Sequence, residues 1–215
     1  MFERQSLAEQ VEAELRREIT EGRLSPGARV SIADYQTAWN ISATPFRDAL
    51  RSLETQGLVT IEARRGVFVA PMNQQTLREI FDLRIALEPM AVELATPRIP
   101  APLLADLVAG YETTAARLAQ GQPVDLQTDD QAVHDLAREY CGNVRLGRLI
   151  AEQTGLFIWA QNTIVSELPR SHALALPEHL AIAQAMAARD AGRAAAAMRR
   201  HLENTRDRII ALRAG

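Results

Sequence analysis

The chain contains no lysine: all 24 basic residues are arginine, a bias of genome composition rather than a functional signal. Its one cysteine, Cys141, excludes an internal disulfide framework and suits a reducing compartment, so a cytoplasmic location is expected. No apolar run approaches the length of a membrane span, and the opening MFERQSLAEQ is too polar and acidic for a secretory signal. An excess of positive charge is missing too. The formal net charge is −3, and residues 1–72 carry nine arginines against ten acids, which argues mildly against nucleic acid. Phosphate binding depends on local cations, however, and a dimer presents each cluster twice. What is present is a 215-residue chain, 47% hydrophobic and 24% charged, with the composition of a globular protein of one large or two small domains.

The most informative stretch is SATPFRDALRSLETQGLVTIEARRGVFVA, from Ser42 to Ala70. Phe46, Ala49, Leu50 and Leu53 recur at helical spacing and form one apolar stripe. Thr44, Arg47, Asp48 and Arg51 form a second stripe facing away, so one face buries while the other presents two arginines one turn apart. Pro45 suits a first helical turn, where its missing N–H is no loss. Leu58 to Ala63 and Val67 to Ala70 read as strands around Arg64-Arg65-Gly66. Upstream, Leu7, Val11, Leu15 and Ile19 predict a helix from Ser6 to Glu21, ended by Gly22 and the Ser25-Pro26-Gly27 turn. A second helix fits Ile32 to Trp39, with Asn40 and Ile41 as the turn. Residues 1–71 therefore read as a winged helix-turn-helix, whose usual partner is double-stranded DNA, and residues 72–75 as a linker.

From residue 76 to 215 no strand pattern occurs. Six helices fit the periodicity: Thr76 to Ala95, Pro102 to Gln120, Leu126 to Tyr140, Val144 to Leu168, Pro177 to Arg189 and Ala191 to Arg213. Punctuation separates them, including Cys141-Gly142-Asn143 and the stretch from Pro169 to Leu176. The expected fold is mainly α, with an all-helical bundle after the winged domain. Bundles place ligand sites between facing helices.

Asp130 and His134 stand four apart on the helix face that also carries Leu126, Val133 and Ala137. His179 shares a stripe with Ile182, Ala183 and Met186, and His201 one with Ala194, Ala197 and Met198. Asp190, a good N-cap, marks the turn between the last two helices. His179 precedes it by eleven residues and His201 follows it by eleven, so a hairpin sets both at one height, about 16 Å from the turn. Burying these groups unpaired is costly. A divalent metal held by Asp130, His134, His179 and His201 removes that cost, with zinc the first expectation and nickel, manganese or iron also suited to these ligands. Histidines satisfied within a core give the same spacing, so on spacing alone both readings stand. Arg84 lies on the otherwise apolar stripe Ile80, Arg84, Leu87, Ala91. It either pairs with an acid such as Glu88 or grips a carboxylate ligand. Trp159 either lines a pocket or packs, Trp39 reads as domain core, and Cys141 and His172 read as structural.

The segments LRREITEGRLSPGARV, ISATPFRDALRSLETQGLV and RRGVFVAPM resemble the winged-helix domain of the GntR family of bacterial transcription regulators. IFDLRIALEPMAVELA, DDQAVHDLAREYCGN and PEHLAIAQAMAARDAGRAAAAMRRHL resemble the FadR-type C-terminal effector domain of that family, the FCD domain. The six-helix count resembles its shorter, VanR-like branch. The resemblance implies a homodimer that binds a palindromic operator, usually as a repressor, and a small carboxylate or sugar acid as effector. It also implies a metal held through an Asp-x3-His pair and two later histidines, matching Asp130, His134, His179 and His201. Two departures stand out. Ala43 occupies a place where many relatives carry arginine, and Tyr35 and Trp39 imply a repacked helix-turn-helix core.

On this reading Thr44, Arg47 and Arg51 face the major groove, and Ser42 with the backbone amides of the helix start contacts phosphate. Arg64, Arg65 and Gly66 form the wing tip, which enters the minor groove or grips the backbone. Arg84 and Trp159 are the candidate effector contacts. The contrasting readings are a metalloenzyme built on the bundle, a direct metal sensor, and a helical protein-interaction module.

Overall fold

The computed structural model describes residues 6–124, 126–165 and 171–212, except the side chains of 127–130, 163–165, 171, 172 and 212. Two compact units emerge: Met1–Thr76 with Gly155–Ile164, and Leu77–Thr154 with Val165–Gly215.

The first unit begins with α1 (Leu7–Thr20), opened by a capping box in which Ser6 and Glu9 satisfy each other's backbone N–H groups. Val11, Leu15 and Ile19 are buried, whereas Leu7, expected on the same stripe, is exposed at the helix start. Next come β1 (Arg29–Val30), α2 (Ile32–Trp39) and α3 (Ala43–Thr55). Asn40 links the last two in the left-handed region at φ 52°, a conformation asparagine tolerates better than most residues. Phe46, Ala49, Leu50 and Leu53 turn the apolar face of α3 into the core, against α1. The hairpin of β2 (Val59–Glu62) and β3 (Gly66–Val69) completes a three-stranded antiparallel sheet in the order β1-β3-β2. With only two residues, β1 carried no alternation by which the sequence could reveal it.

Tyr35 and Trp39, half-buried on α2, form an aromatic cluster with Phe46 of α3. Their rings lie 4.7 Å apart, and Phe46 sits 5.5 Å from Tyr35 and 6.0 Å from Trp39. The Tyr35 hydroxyl also donates to the Glu18 carboxylate on α1, tying the first two helices together.

The bundle helices are α4 (Gln74–Ala95), α5 (Ala101–Ala119), α6 (Leu126–Tyr140), α7 (Val144–Val165), α8 (Ser171–Ala187) and α9 (Ala191–Leu212). Asn73 caps α4 by accepting from the Thr76 N–H at 2.9 Å. Asp190 caps α9 through the Arg193 N–H, also at 2.9 Å. One expectation is corrected: Pro169 to Leu176 is not a break throughout, because α8 already begins at Ser171 and continues through Pro177. Proline forfeits one helical hydrogen bond. Contacts of α8 with α5, α6 and α9 outweigh that loss. Cys141 is buried, its thiol directed at the carbonyl oxygens of Arg138 and Asn143.

No described helix is long and apolar enough to cross a membrane.

Candidate nucleic-acid interface and metal centre

Burying one face of α3 leaves Thr44, Arg47, Asp48 and Arg51 exposed on the other. Neither Arg47 nor Arg51 has a partner among the described residues. Ser42 is the exposed N-cap of α3 and its hydroxyl makes no capping bond, so the N–H groups of the helix start have no side-chain cap. Such an end attracts anions. At the wing, Arg64 adopts φ 65° and Gly66 φ 118°, the latter a conformation that glycine alone reaches easily. Arg64 and Arg65 are both exposed. Arg65 leans on Glu62 at 2.5 Å and over the Phe68 ring at 5.8 Å, while Arg64 has no partner among the described residues. Glu54 on α3 accepts the Ile61 N–H at 3.0 Å and so fixes the wing to the helix. The seven sequence-predicted contact residues thus fall at the recognition helix and the adjoining wing of one small domain.

Within the second unit, His134 on α6, His179 on α8 and His201 on α9 converge, all buried. His134 Nε2 lies 3.4 Å from His179 Nε2, which lies 3.1 Å from His201 Nε2. His179 Nε2 is common to both contacts and carries at most one proton, so it cannot serve both neighbours at once. Two of the outer nitrogens are held elsewhere. His134 Nδ1 meets Glu88 Oε2 at 2.5 Å, and His201 Nδ1 meets Glu178 Oε2 at 2.8 Å. An ionised carboxylate accepts, so each Nδ1 carries the proton and each Nε2 turns a lone pair inward. This carboxylate–histidine arrangement orients metal ligands. The donor set therefore fits a cation. Asp130 lies on α6 one turn before His134, but its side chain falls outside the described residues, as does that of His172.

Electrostatics keeps both carboxylates ionised. Burial pushes the Glu88 carboxyl up, but Arg84 and His134 outweigh it and hold the group well below the ordinary carboxylate range. Burial also raises Glu178, yet hydrogen bonds from His201, Arg208 and Asn204 bring it down to about 2. His201 is pushed below its ordinary value by burial, against the pull of Glu178, and so favours the neutral form that binds metal.

Arg84 enters the bundle as its stripe predicts, and it meets Glu88: Nε donates to Oε1 at 2.5 Å and Nη2 to Oε2 at 3.3 Å. Its Nη2 also lies 3.4 Å from His134 Nδ1. Trp159 is buried in the first unit, on the α7 segment Gly155–Ile164, whereas the three histidines belong to the second. There Asn162 Nδ2 donates to the Thr20 carbonyl at 2.6 Å. The sequence Leu156-Phe157-Ile158-Trp159-Ala160 is apolar on every side, so periodicity could not say which neighbour it would meet. Sequence reasoning missed the orienting roles of Glu88 and Glu178, and the Tyr111 ring stacked 5.9 Å from His179. The adjacency of Glu178 to His179 was the one available signal.

Comparison with known proteins decides the family. The FCD domain family matches residues 79–204, and the family of bacterial regulatory proteins, gntR family, matches residues 7–69. The chain is a GntR-family regulator with an FCD domain. This GntR regulator is 28% identical to the uncharacterized HTH-type transcriptional regulator BphR of Paraburkholderia xenovorans over 210 residues, 93% of this chain and 84% of the relative. It is 29% identical to the HTH-type transcriptional repressor GlaR of Escherichia coli over 200 residues, covering 87% and 89%. Its fold is shared with E. coli McbR/YncC at TM-score 0.71 and 22% identity, covering 95% of this chain and 98% of that one. The two-domain architecture fits the FadR subfamily, and the regulator binds DNA rather than acting as an enzyme.

Proposed function

We propose that this GntR regulator is a metal-loaded repressor, dimeric on a palindromic operator and released by a small carboxylate or sugar acid bound at the histidine centre. The observation that carries this reading is the convergence of three Nε2 atoms, with the imidazoles of His134 and His201 held from behind by carboxylates. His134, His179 and His201 would hold the ion, with Asp130 as a fourth ligand and zinc the first candidate. Once bound, a divalent ion supplies a positive attachment point for an effector oxygen. Arg84 lies behind His134, its Nη2 3.4 Å from Nδ1, and an effector carboxylate reaching it would share or displace its contact with Glu88. GlaR is named a repressor, which supports the sign of regulation proposed.

On DNA, Thr44, Arg47 and Arg51 read the major groove, Ser42 and the α3 amides hold phosphate, and Arg64 and Arg65 grip from the wing. A bidentate arginine–guanine contact is worth about 1–3 kcal/mol of discrimination. The effector acts only through the difference in its affinity for the operator-competent and operator-incompetent states.

The test is a gel shift with DNA from upstream of the regulator's own gene, repeated with a panel of small carboxylates and sugar acids. Retardation relieved by one of them is the expected result. Arg47→Ala is expected to lose selection of the operator over competitor DNA, while Arg65→Ala only weakens binding. Selection retained in the Arg47→Ala protein would overturn the readout assigned to α3.

A further inference from the structure

One face of the bundle is built unlike the rest of its surface. Leu83, Ala86 and Met90 fall on a single stripe of α4 and face solvent, Leu83 at 45% exposure and Met90 at 55%. Large apolar side chains scattered singly need no explanation, but an aligned row does. Across from it, Ala195 and Ala196 of α9 form a shallow wall without long side chains. Between the two helices runs a groove of about 560 Å³. Its rim is charged with opposite signs: Glu93 stands on the α4 side, Arg199 and Arg200 on the α9 side. All three are exposed, and none has a partner among the described residues.

We infer that this groove is the contact between two copies of the chain, with Met90 of each seated against the alanine wall of the other. The groove carries both halves of a complementary pair, a protruding thioether beside a small-residue recess and an acid beside two bases. A two-fold axis brings each surface against its own copy, so every feature meets its complement twice. Glu93 then faces the partner's Arg199 and Arg200. Methionine suits the role because its flexible, polarisable chain fills irregular recesses. A small polar effector does not suit this open, alanine-lined trough.

The inference rests on the dimer proposed above, and one experiment separates their fates. Sedimentation equilibrium of the full chain gives the self-association constant for wild type, Met90→Glu, Glu93→Arg, the Arg199→Glu/Arg200→Glu pair, and the triple charge reversal. Expected are a wild-type dimer, weakening of about tenfold or more in each of the first three variants, and recovery in the triple reversal, which a misfolded chain would not show. A dimer indifferent to these changes overturns the groove assignment and leaves the dimeric reading standing. The groove would then serve another protein or a small ligand. Loss of dimer in the variants without recovery in the triple reversal also overturns it, and a monomeric wild type overturns both.

Discussion

Glu88 is asked to do two things at once. Its carboxylate takes the Arg84 guanidinium on both oxygens and holds His134 by Nδ1 through Oε2, all within the bundle interior. Removing one partner from such a buried group leaves the other charge uncompensated. Glu88→Gln keeps the shape and removes the charge. We expect metal affinity to fall about 10–100-fold in a competition titration against a chromophoric chelator. An unchanged affinity would leave Glu88 as no more than a counter-ion for Arg84. The ion pair with Arg84 was legible in the sequence, because the two residues stand four apart on one helix. The contact with His134 was not: it joins residues 46 positions apart on different helices, and periodicity carries no information about which helices face each other.

At the scale of elements, the helix-turn-helix depends on aromatic packing and on one polar strut, the Tyr35 hydroxyl donating to Glu18. Burial and the neighbouring carboxylate push the Tyr35 hydroxyl above its ordinary value of 10.0, so it stays protonated where an unfolded tyrosine ionises. A group raised in the folded state contributes its full stability below the unfolded value and loses it as pH rises past that value. The melting temperature of the wild type should therefore fall more steeply above about pH 10 than that of Tyr35→Phe. Parallel slopes in a calorimetric pH series would contradict the strut. Most elements were readable because their apolar residues repeat cleanly: the four buried residues of α3 were all identifiable in advance. The start of α8 was not, since Pro177 reads locally as a stop and only contacts with three other helices override it.

At the scale of the molecule, the centre gathers side chains from α4, α6, α8 and α9, so a bound cation would cross-link most of the bundle. A ligand that binds only the folded state, at a free concentration of about 100 times its dissociation constant, stabilises by about 2.7 kcal/mol. For a chain of this length that corresponds to roughly 5–10 °C in the unfolding midpoint. Calorimetry of zinc-loaded and chelator-stripped protein should show such a separation, and identical midpoints would reduce the three histidines to core residues. Loading should weaken on acidification, and because burial holds His201 below the ordinary histidine value, protons compete for that ligand only below about pH 6.5.

The only native thiol is sealed between α6 and α7, pointed at two backbone carbonyl oxygens. With lysine absent as well, the chain offers few nucleophiles to a dye. A cysteine introduced in place of Arg64 at the wing tip would accept a maleimide fluorophore almost alone, without first disarming Cys141. That makes the wing's approach to a duplex observable by fluorescence in an otherwise native polypeptide.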